Sequence, residues 1–552
     1  MSSPRRRERP RRDAGLHLAP RSGCSLRRHG MSFHLEPWAL DRALEHLEQH
    51  GDSDIVPPAF ELHAIRHVWD SERRRLADSD LDLWTVGPRR TCLSPKQHLG
   101  LRVATQLDPV DALLTTALVI QVAEQLEAVR LPVDDLTVHS HRFVSGLDHG
   151  RLFSQDFNFN SFRDRSLELA EKSEFVLLAD ISDFYPRIYL HRVENALRAA
   201  LGVDDGAARV LNKFLTQWNQ SISYGLPVGA SAFRLVAEVT INDVDQALAA
   251  RGYRFCRYSD DFRFFVASER EGRGILAFLA RTLSNNHGLT LQAAKTELIP
   301  AENFSERFRW SEQDEVTGTI QENLHELLEK VGIDMYELPA FADLPEEVRE
   351  AIEKANVWTL LTDQLDEEFP NMRTVRFALQ QIRWWGLADD EGVILDQMRQ
   401  LDTVFSDPIG AATASPDLTT DEKREIAERL LDLVDDDVFG HLEYFRAWIL
   451  WVFADSAEWN HSPKLQEIYE RYSESFTRSA AVVALGVAGI DHWFRTERER
   501  LPLMDPWERR AFLAGAACLP RDERKHWYAS VKPQLSPLEL AVVEWAKANA
   551  RQ

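Results

Sequence analysis

Phe255-Cys256-Arg257-Tyr258-Ser259-Asp260-Asp261-Phe262-Arg263-Phe264-Phe265-Val266 decides how the rest of the chain is read. Aromatic and apolar residues flank a polar centre, the pattern of two strands joined by a tight turn. The turn carries two adjacent carboxylates. Like charges at a turn repel and add nothing to a core, so the pair is a poor stabiliser of a hairpin. It is a good holder of divalent metal, because Mg²⁺ takes carboxylate oxygens, and a pair of ions can clamp the attacking and leaving oxygens of a phosphoryl transfer. A Tyr-Ser-Asp-Asp turn on its own reads more readily as a solvated turn, so the neighbouring stretches have to decide.

Upstream, Phe175-Val176-Leu177-Leu178-Ala179 reads as a buried strand that runs straight into Asp180-Ile181-Ser182-Asp183-Phe184-Tyr185-Pro186. A carboxylate delivered at the end of a core strand suits a metal ligand. The alternative, a helix cap, fits poorly because the next helix begins only near Leu190. Tyr224-Gly225-Leu226-Pro227-Val228-Gly229-Ala230-Ser231 is a loop that admits close backbone approach to a ligand. It opens a helix from about Ala232 to Ala250, with Phe233, Val236, Ala237, Ile241, Val244 and Leu248 on one face. Past the hairpin come a helix around Gly274 to Asn285, then Leu289-Thr290-Leu291 and Lys295-Thr296-Glu297-Leu298. Lys295 is either a solvated strand lysine or a group that protonates a leaving pyrophosphate or holds phosphate charge.

Residues from Leu40 to about Leu136 carry a helical pattern, with Ser94-Pro95-Lys96-Gln97 read as a capping box and Asp108-Pro109 as a helix start. Ala112 to Val122, the most apolar segment, is a core helix and not a membrane span, since Thr115, Thr116 and Gln121 interrupt it. Leu136 to Phe143 alternates as a short strand, and Arg142 in it is a candidate phosphate contact. Beyond Arg309 helix starts recur at Thr419 with Glu422, Ser462-Pro463, Asp505-Pro506 and Ser536-Pro537 with Glu539. Trp384, Trp385, Trp448, Trp451 and Trp493 are expected in the helical core.

The chain has 552 residues and a formal net charge of -23, at odds with a surface built for phosphate backbones. Its first 30 residues, rich in Arg, Pro and Ser, read as a disordered arm or as a start site placed too early, with Met31 the alternative. Any nucleic-acid channel is therefore a local basic groove on an acidic body. Four scattered cysteines, Cys24, Cys92, Cys256 and Cys518, form no Cys-x-x-Cys and fit a reducing cytoplasm.

Ala-Asp-Ile-Ser-Asp-Phe-Tyr at Asp180, Leu-Pro-Val-Gly with Ser231, Tyr-Ser-Asp-Asp, and Leu-x-Leu-x-x-x-Lys-Thr stand in the order of motifs A to D of a reverse-transcriptase palm. From Glu174 to Pro300 the chain resembles a reverse transcriptase. The resemblance implies an α+β fingers and palm over 31–310, with an antiparallel palm sheet, and leaves 311–552 as an all-helical, HEAT-like domain. It makes Asp180, Asp260 and Asp261 the carboxylates of two Mg²⁺ (or Mn²⁺) ions, with the Ile181 carbonyl an added ligand and Lys295 the motif D lysine. Tyr185 falls at the steric gate, which implies dNTPs as substrates. Asp183, Phe184, Val228, Gly229, Ser231 and Tyr258 fall around the nucleotide.

Val228 stands where many relatives carry Gln, and neither RNase H nor integrase residues follow. Leu-Pro-Val-Gly with a helical second half resembles the abortive-infection and unknown-group bacterial enzymes of phage defence. That likeness implies a DNA product, templated by RNA or untemplated, priming by a protein tyrosine such as Tyr444 or Tyr469, and a homo-oligomer. Two alternatives stand beside it. One is a retron-like enzyme copying a dedicated non-coding RNA, since Val316-Thr317-Gly318 resembles a retron triplet; the other is an inactive palm serving as a scaffold.

Overall fold

The computed structural model describes residues 32–550 except 97–99, 204, 221, 310–311, 332, 334–338, 340, 368–369 and 460–461. The Arg-rich stretch, with Cys24 and Met31, and Gln97 fall outside the described residues.

Two strands near the N-terminus, Arg90–Lys96 (β1) and Gly100–Gln106 (β2), pair antiparallel where the sequence suggested a helix. Period-two alternation overrides the cap signal: Cys92, Ser94 and Ala104 face inward, while Leu93 and its partner Val103 stay exposed. Ser94 is thus a buried strand residue and not a helix cap. The next helix does start as its sequence dictates, with the Asp108 side chain accepting from the Val110 amide at 3.2 Å and Pro109 in the first turn. Pro109–Ala128 is buried along most of its length and forms the spine of the first half.

Four further strands build the palm: Phe175–Asp180 (β3), Phe255–Tyr258 (β4), Asp261–Val266 (β5) and Glu297–Pro300 (β6), in the spatial order β4-β5-β3-β6, all antiparallel. Alternation assigns each residue a face. Leu177, Ala179, Phe255, Phe262, Phe264 and Val266 join the core beneath the helices, where the parallel rings of Phe262 and Phe264 stack with centroids 5.9 Å apart. Val176, Leu178, Cys256 and Phe265 point the other way, against helices Phe159–Ala170 and Ala301–Phe308. Asp180, Tyr258 and Asp261 share this second face by parity. Leu136–Phe143 is not a full strand: left-handed Leu136 and His141 break it, and Val138 makes a single parallel bridge to Arg257. The helix expected from Ala232 to Ala250 divides at Ile241 into Ala232–Thr240 and Asn242–Ala249.

After Pro300 every described element is helical. Capping boxes form at Thr419 with Glu422 and at Ser536 with Glu539, as their sequences require. The core of this half takes in Ile55, Val56, Ala64, Cys92 and Ala104 from the first half. Polar clamps lock the contact. The Trp448 indole donates to the Ile55 carbonyl at 3.0 Å, Trp507 to the Pro88 carbonyl at 3.1 Å, and buried Arg510 bridges Glu61 at 2.6 Å and Asp108 at 2.9 Å. Of the tryptophans assigned to the core, Trp385 and Trp493 are buried, but Trp384 is exposed and Trp451 lines a cavity. Tyr444 and Tyr469 are both buried, and the Tyr469 hydroxyl donates to Glu508 at 2.7 Å. Neither presents the surface hydroxyl a priming role would need.

Candidate active site

β3 and β5 place Asp180 directly opposite Asp261, and the β4–β5 turn adds Asp260. The backbone fixes this meeting. The Ile181 amide donates to the Asp260 carbonyl at 3.0 Å, Ser182 to Thr290 at 2.9 Å, and Gln292 to the Asp180 carbonyl at 2.8 Å. Ile181 is itself buried, so only its backbone is available to a ligand. All three carboxylates are half-buried. Burial and the neighbouring Asp180 charge push Asp260 up to about 6. Burial also pushes Asp261 up to about 6, with Asp180 and Asp260 adding to it and Arg263 on the same strand opposing. Lys295 meets Asp180 from the solvent side, Nζ to Oδ2 at 2.9 Å, with 66% of its side chain exposed.

Among the described residues no three His, Cys, Asp or Glu side chains close into a metal cage. Yet the donor set fits a hard cation: oxygen ligands only, at mutually repelling carboxylates, with room for waters on the open side. The Lys295 ammonium holds one of the two Asp180 carboxylate oxygens that would serve such a cation.

Tyr185 sits beside this group. Burial raises the pKa of its phenol. Phe184, expected around the nucleotide, is instead buried in the core, edge-on to Tyr185. Exposed Asp183, at φ 48°, is the left-handed residue that turns the chain just before the short helix carrying Phe184 and Tyr185. Tyr258 packs against Phe159 and Phe162. The Val228 to Ser231 loop is held from outside the palm. The Val228 carbonyl accepts from Thr105 of β2 at 2.9 Å and the Gly229 carbonyl from Asp54 at 3.2 Å, while the Val228 side chain packs toward the helical half. Gly229, at φ 116° against Ser53, has no room for a side chain. Ser231 precedes the helix without capping it.

Behind the turn lies what the sequence reading missed. Arg142, Glu127, Arg130, Glu238, Arg257 and Asp245 form a chain of alternating charge. The successive contacts are 2.8 Å for Arg142–Glu127 and Arg130–Glu127, 2.9 Å for Arg130–Glu238 and Arg257–Glu238, and 2.5 Å for Arg257–Asp245. Arg142 is therefore no phosphate contact; it is buried and turned inward. Ser259 carries a left-handed backbone, φ 55°, which a residue with a Cβ adopts only when held. One member of the cluster and a serine bonded to it hold it. Arg257 donates to the Ser259 carbonyl at 2.9 Å, and Ser140, itself donating to Glu238 at 2.6 Å, accepts from the Ser259 amide at 2.9 Å. The available signal was Arg257 in an otherwise apolar strand. A second missed residue is exposed Lys96 at the end of β1, whose charge acts on Asp260.

Residues 119–317 match the family model described as reverse transcriptase (RNA-dependent DNA polymerase). Among solved structures, a partial Cas6-RT-Cas1–Cas2 complex aligns at 15% identity over 46% of this chain and 42% of that one, with a TM-score of 0.24. The telomerase of Candida albicans, in complex with a fragment of telomeric RNA, aligns at 9% identity over 70% of each chain with a TM-score of 0.29. Apo telomerase from Candida tropicalis aligns at 10% identity over 70% of this chain and 73% of that one, with a TM-score of 0.30. This chain thus spans under half the length of the Cas-associated chain. No match was found among curated proteins.

Proposed function

We propose that the chain, a nucleotidyltransferase with a reverse-transcriptase domain at residues 119–317, extends a DNA strand from dNTPs, with an RNA template or without one, in defence against phage. The observation that carries the chemistry is the direct opposition of Asp180 and Asp261, with Asp260 alongside, at one end of the palm sheet. Asp180, Asp260 and Asp261 would hold two Mg²⁺, which when bound supply an acidified primer hydroxyl and neutralised phosphates. The residues do the rest. Lys295 and Lys96 bring positive charge to the carboxylates from the open side, and Lys295, once released from Asp180, is placed to give a proton to departing pyrophosphate. Tyr185, packed edge-on against buried Phe184, stands as a wall against a 2′-hydroxyl. The charge cluster behind the turn orients Asp260 without touching substrate.

The division into fingers and palm (31–310) and helical domain (311–552) belongs to this reading, as do a homo-oligomer and a cytoplasmic setting. Among the described residues no helix is long and apolar enough to cross a membrane. The defence role rests on Leu226-Pro227-Val228-Gly229 and on the helical second half, and survival of phage-challenged cells carrying Asp260→Ala tests it.

The polymerase reading is tested by incubating the purified protein with Mg²⁺ and each nucleotide, with and without an RNA template. DNA product from dNTPs and little product from rNTPs is expected, with Tyr185→Ala relaxing the sugar preference by about tenfold or more. Ribonucleotide incorporation equal to that of dNTPs in the unmodified protein would remove the gate from the account. Product that forms without template and stays with protein through phenol extraction would identify the primer as a protein group.

A further inference from the structure

A cavity of about 400 Å³ opens between the N-terminal segment and the helical half, away from the palm carboxylates. Its size falls in the range of small-ligand pockets, about 300–1,000 Å³. Its walls are aromatic, with Phe60, Trp451 and Trp545 among them, and the rings of Phe60 and Trp545 lie 5.9 Å apart. Arg90 stands in the wall, its guanidinium stacked between Phe476 and Trp507 at 3.9 Å from each ring centre.

The arginine is the unusual feature. A desolvated guanidinium normally meets a carboxylate, because an unpaired buried charge is costly. Arg90 has neutral partners instead: Nε donates to Gln106 at 2.8 Å and Nη1 to Ser479 at 2.7 Å. Glu61, a carboxylate in the same wall, is committed to Arg510. Burial pushes Arg90 down to about 10, against the more distant pull of Glu61, Asp52 and Glu443, none of which bonds to it. With both faces covered by rings and two nitrogens engaged, the guanidinium has Nη2 to offer, in its own plane, to an anionic oxygen.

We propose that this cavity is a second nucleotide site, separate from the polymerising one, that takes one nucleoside monophosphate unit with its base among the aromatic walls and its phosphate on Arg90. The chemistry selects a planar ring carrying a single phosphate group. Stacking on Trp and Phe faces accepts any base, and one arginine edge matches one phosphate. Glu48 and exposed Asp455 line the same cavity and oppose a polyanion, so a triphosphate gains nothing over a monophosphate there. The same unit is available as a free nucleotide or as one residue of single-stranded DNA.

Equilibrium dialysis of the full-length protein in EDTA, with labelled dAMP, deoxyadenosine, dATP and the oligomer (dA)10, tests this without polymerisation. Binding of dAMP or (dA)10 at one site per chain, about tenfold weaker for deoxyadenosine and for Arg90→Met, supports the proposal. Binding of (dA)10 that dAMP does not compete assigns the unit to a strand; the reverse assigns a free nucleotide. Should Arg90→Met lose its fold, Asp455→Lys at the exposed rim gives an independent reading, with binding tightened severalfold and dATP gaining most. Absence of binding by both probes, affinity unchanged in both variants, or dATP displacing bound dAMP much better than dAMP itself does would overturn it. None of these outcomes depends on Asp180, Asp260 or Asp261, so the site fails or stands apart from the polymerase reading.

Discussion

The two sides of the Ser259-Asp260 turn are built on opposite electrostatic terms. Behind it, three arginines alternate with three carboxylates; Arg257, Glu238 and Asp245 are almost wholly sealed from solvent, and Arg257 at 0% and Glu238 at 0% exposure have no access to water. The Arg257 and Arg130 charges hold the Glu238 carboxyl well below its usual range despite burial. In front, three carboxylates face two exposed lysines, Lys295 in contact and Lys96 beyond it, and two of the carboxylates are pushed up to about 6. The back is a balanced interior that fixes geometry. The front keeps an excess of negative charge that a cationic ligand relieves. The proposed metal site needs both: rigidity where the backbone is strained, unspent charge where a ligand would arrive.

The largest effect is expected behind the turn. Arg257→Met leaves Glu238 and Asp245 facing each other in a dry interior and should cost about 3–5 kcal/mol in chemical denaturation. A loss under about 1 kcal/mol would mean the cluster is dispensable to the fold. In front, the sign reverses. A carboxyl whose folded value is raised from 3.8 to about 6 is charged at a cost above pH 6. That cost fades as pH falls through 6 and is gone below the unfolded value near 4. Asp260→Asn should therefore stabilise the metal-free protein by about 2 kcal/mol at pH 8 and by almost nothing at pH 4, read from denaturant midpoints at the two pH values. The smallest change in stability belongs to Lys295→Met, below about 1 kcal/mol, because the pair with Asp180 is exposed. The same variant should slow single-turnover incorporation by about tenfold to a hundredfold. An unchanged rate would leave Lys295 as a surface charge.

The meeting of the front carboxylates was legible in sequence, because they stand at a strand end and in a hairpin turn, and strand alternation then fixes which face they share. Asp180, Asp260 and Asp261 required only the strands of Phe175 and Phe255 to be recognised. The back was not legible. Glu127 and Arg130 stand together at the end of helix Pro109–Ala128, while Glu238 and Arg257 come from other elements, and each reads singly as a surface charge; the packing of helix Ala232–Thr240 between that helix and β4 brings them together. Arg142 was misplaced for the same reason. The β1–β2 hairpin was hidden by a local conflict, since Ser94-Pro95 has the chemistry of a helix cap while Cys92 and Ala104 obey the period of a strand. Contacts such as Trp448 to Ile55, almost 400 residues apart along the chain, leave no mark in either local pattern.

The claim that the front charges are kept for catalysis and not for stability meets its most direct test in Asp260→Asn at pH 8. Its melting temperature without metal and its Mg²⁺-dependent dNTP incorporation are measured on the same preparation. A higher melting temperature together with incorporation lowered by at least about a thousandfold is the expected result. A variant that is less stable, or that still extends DNA at the rate of the unmodified protein, would contradict the account.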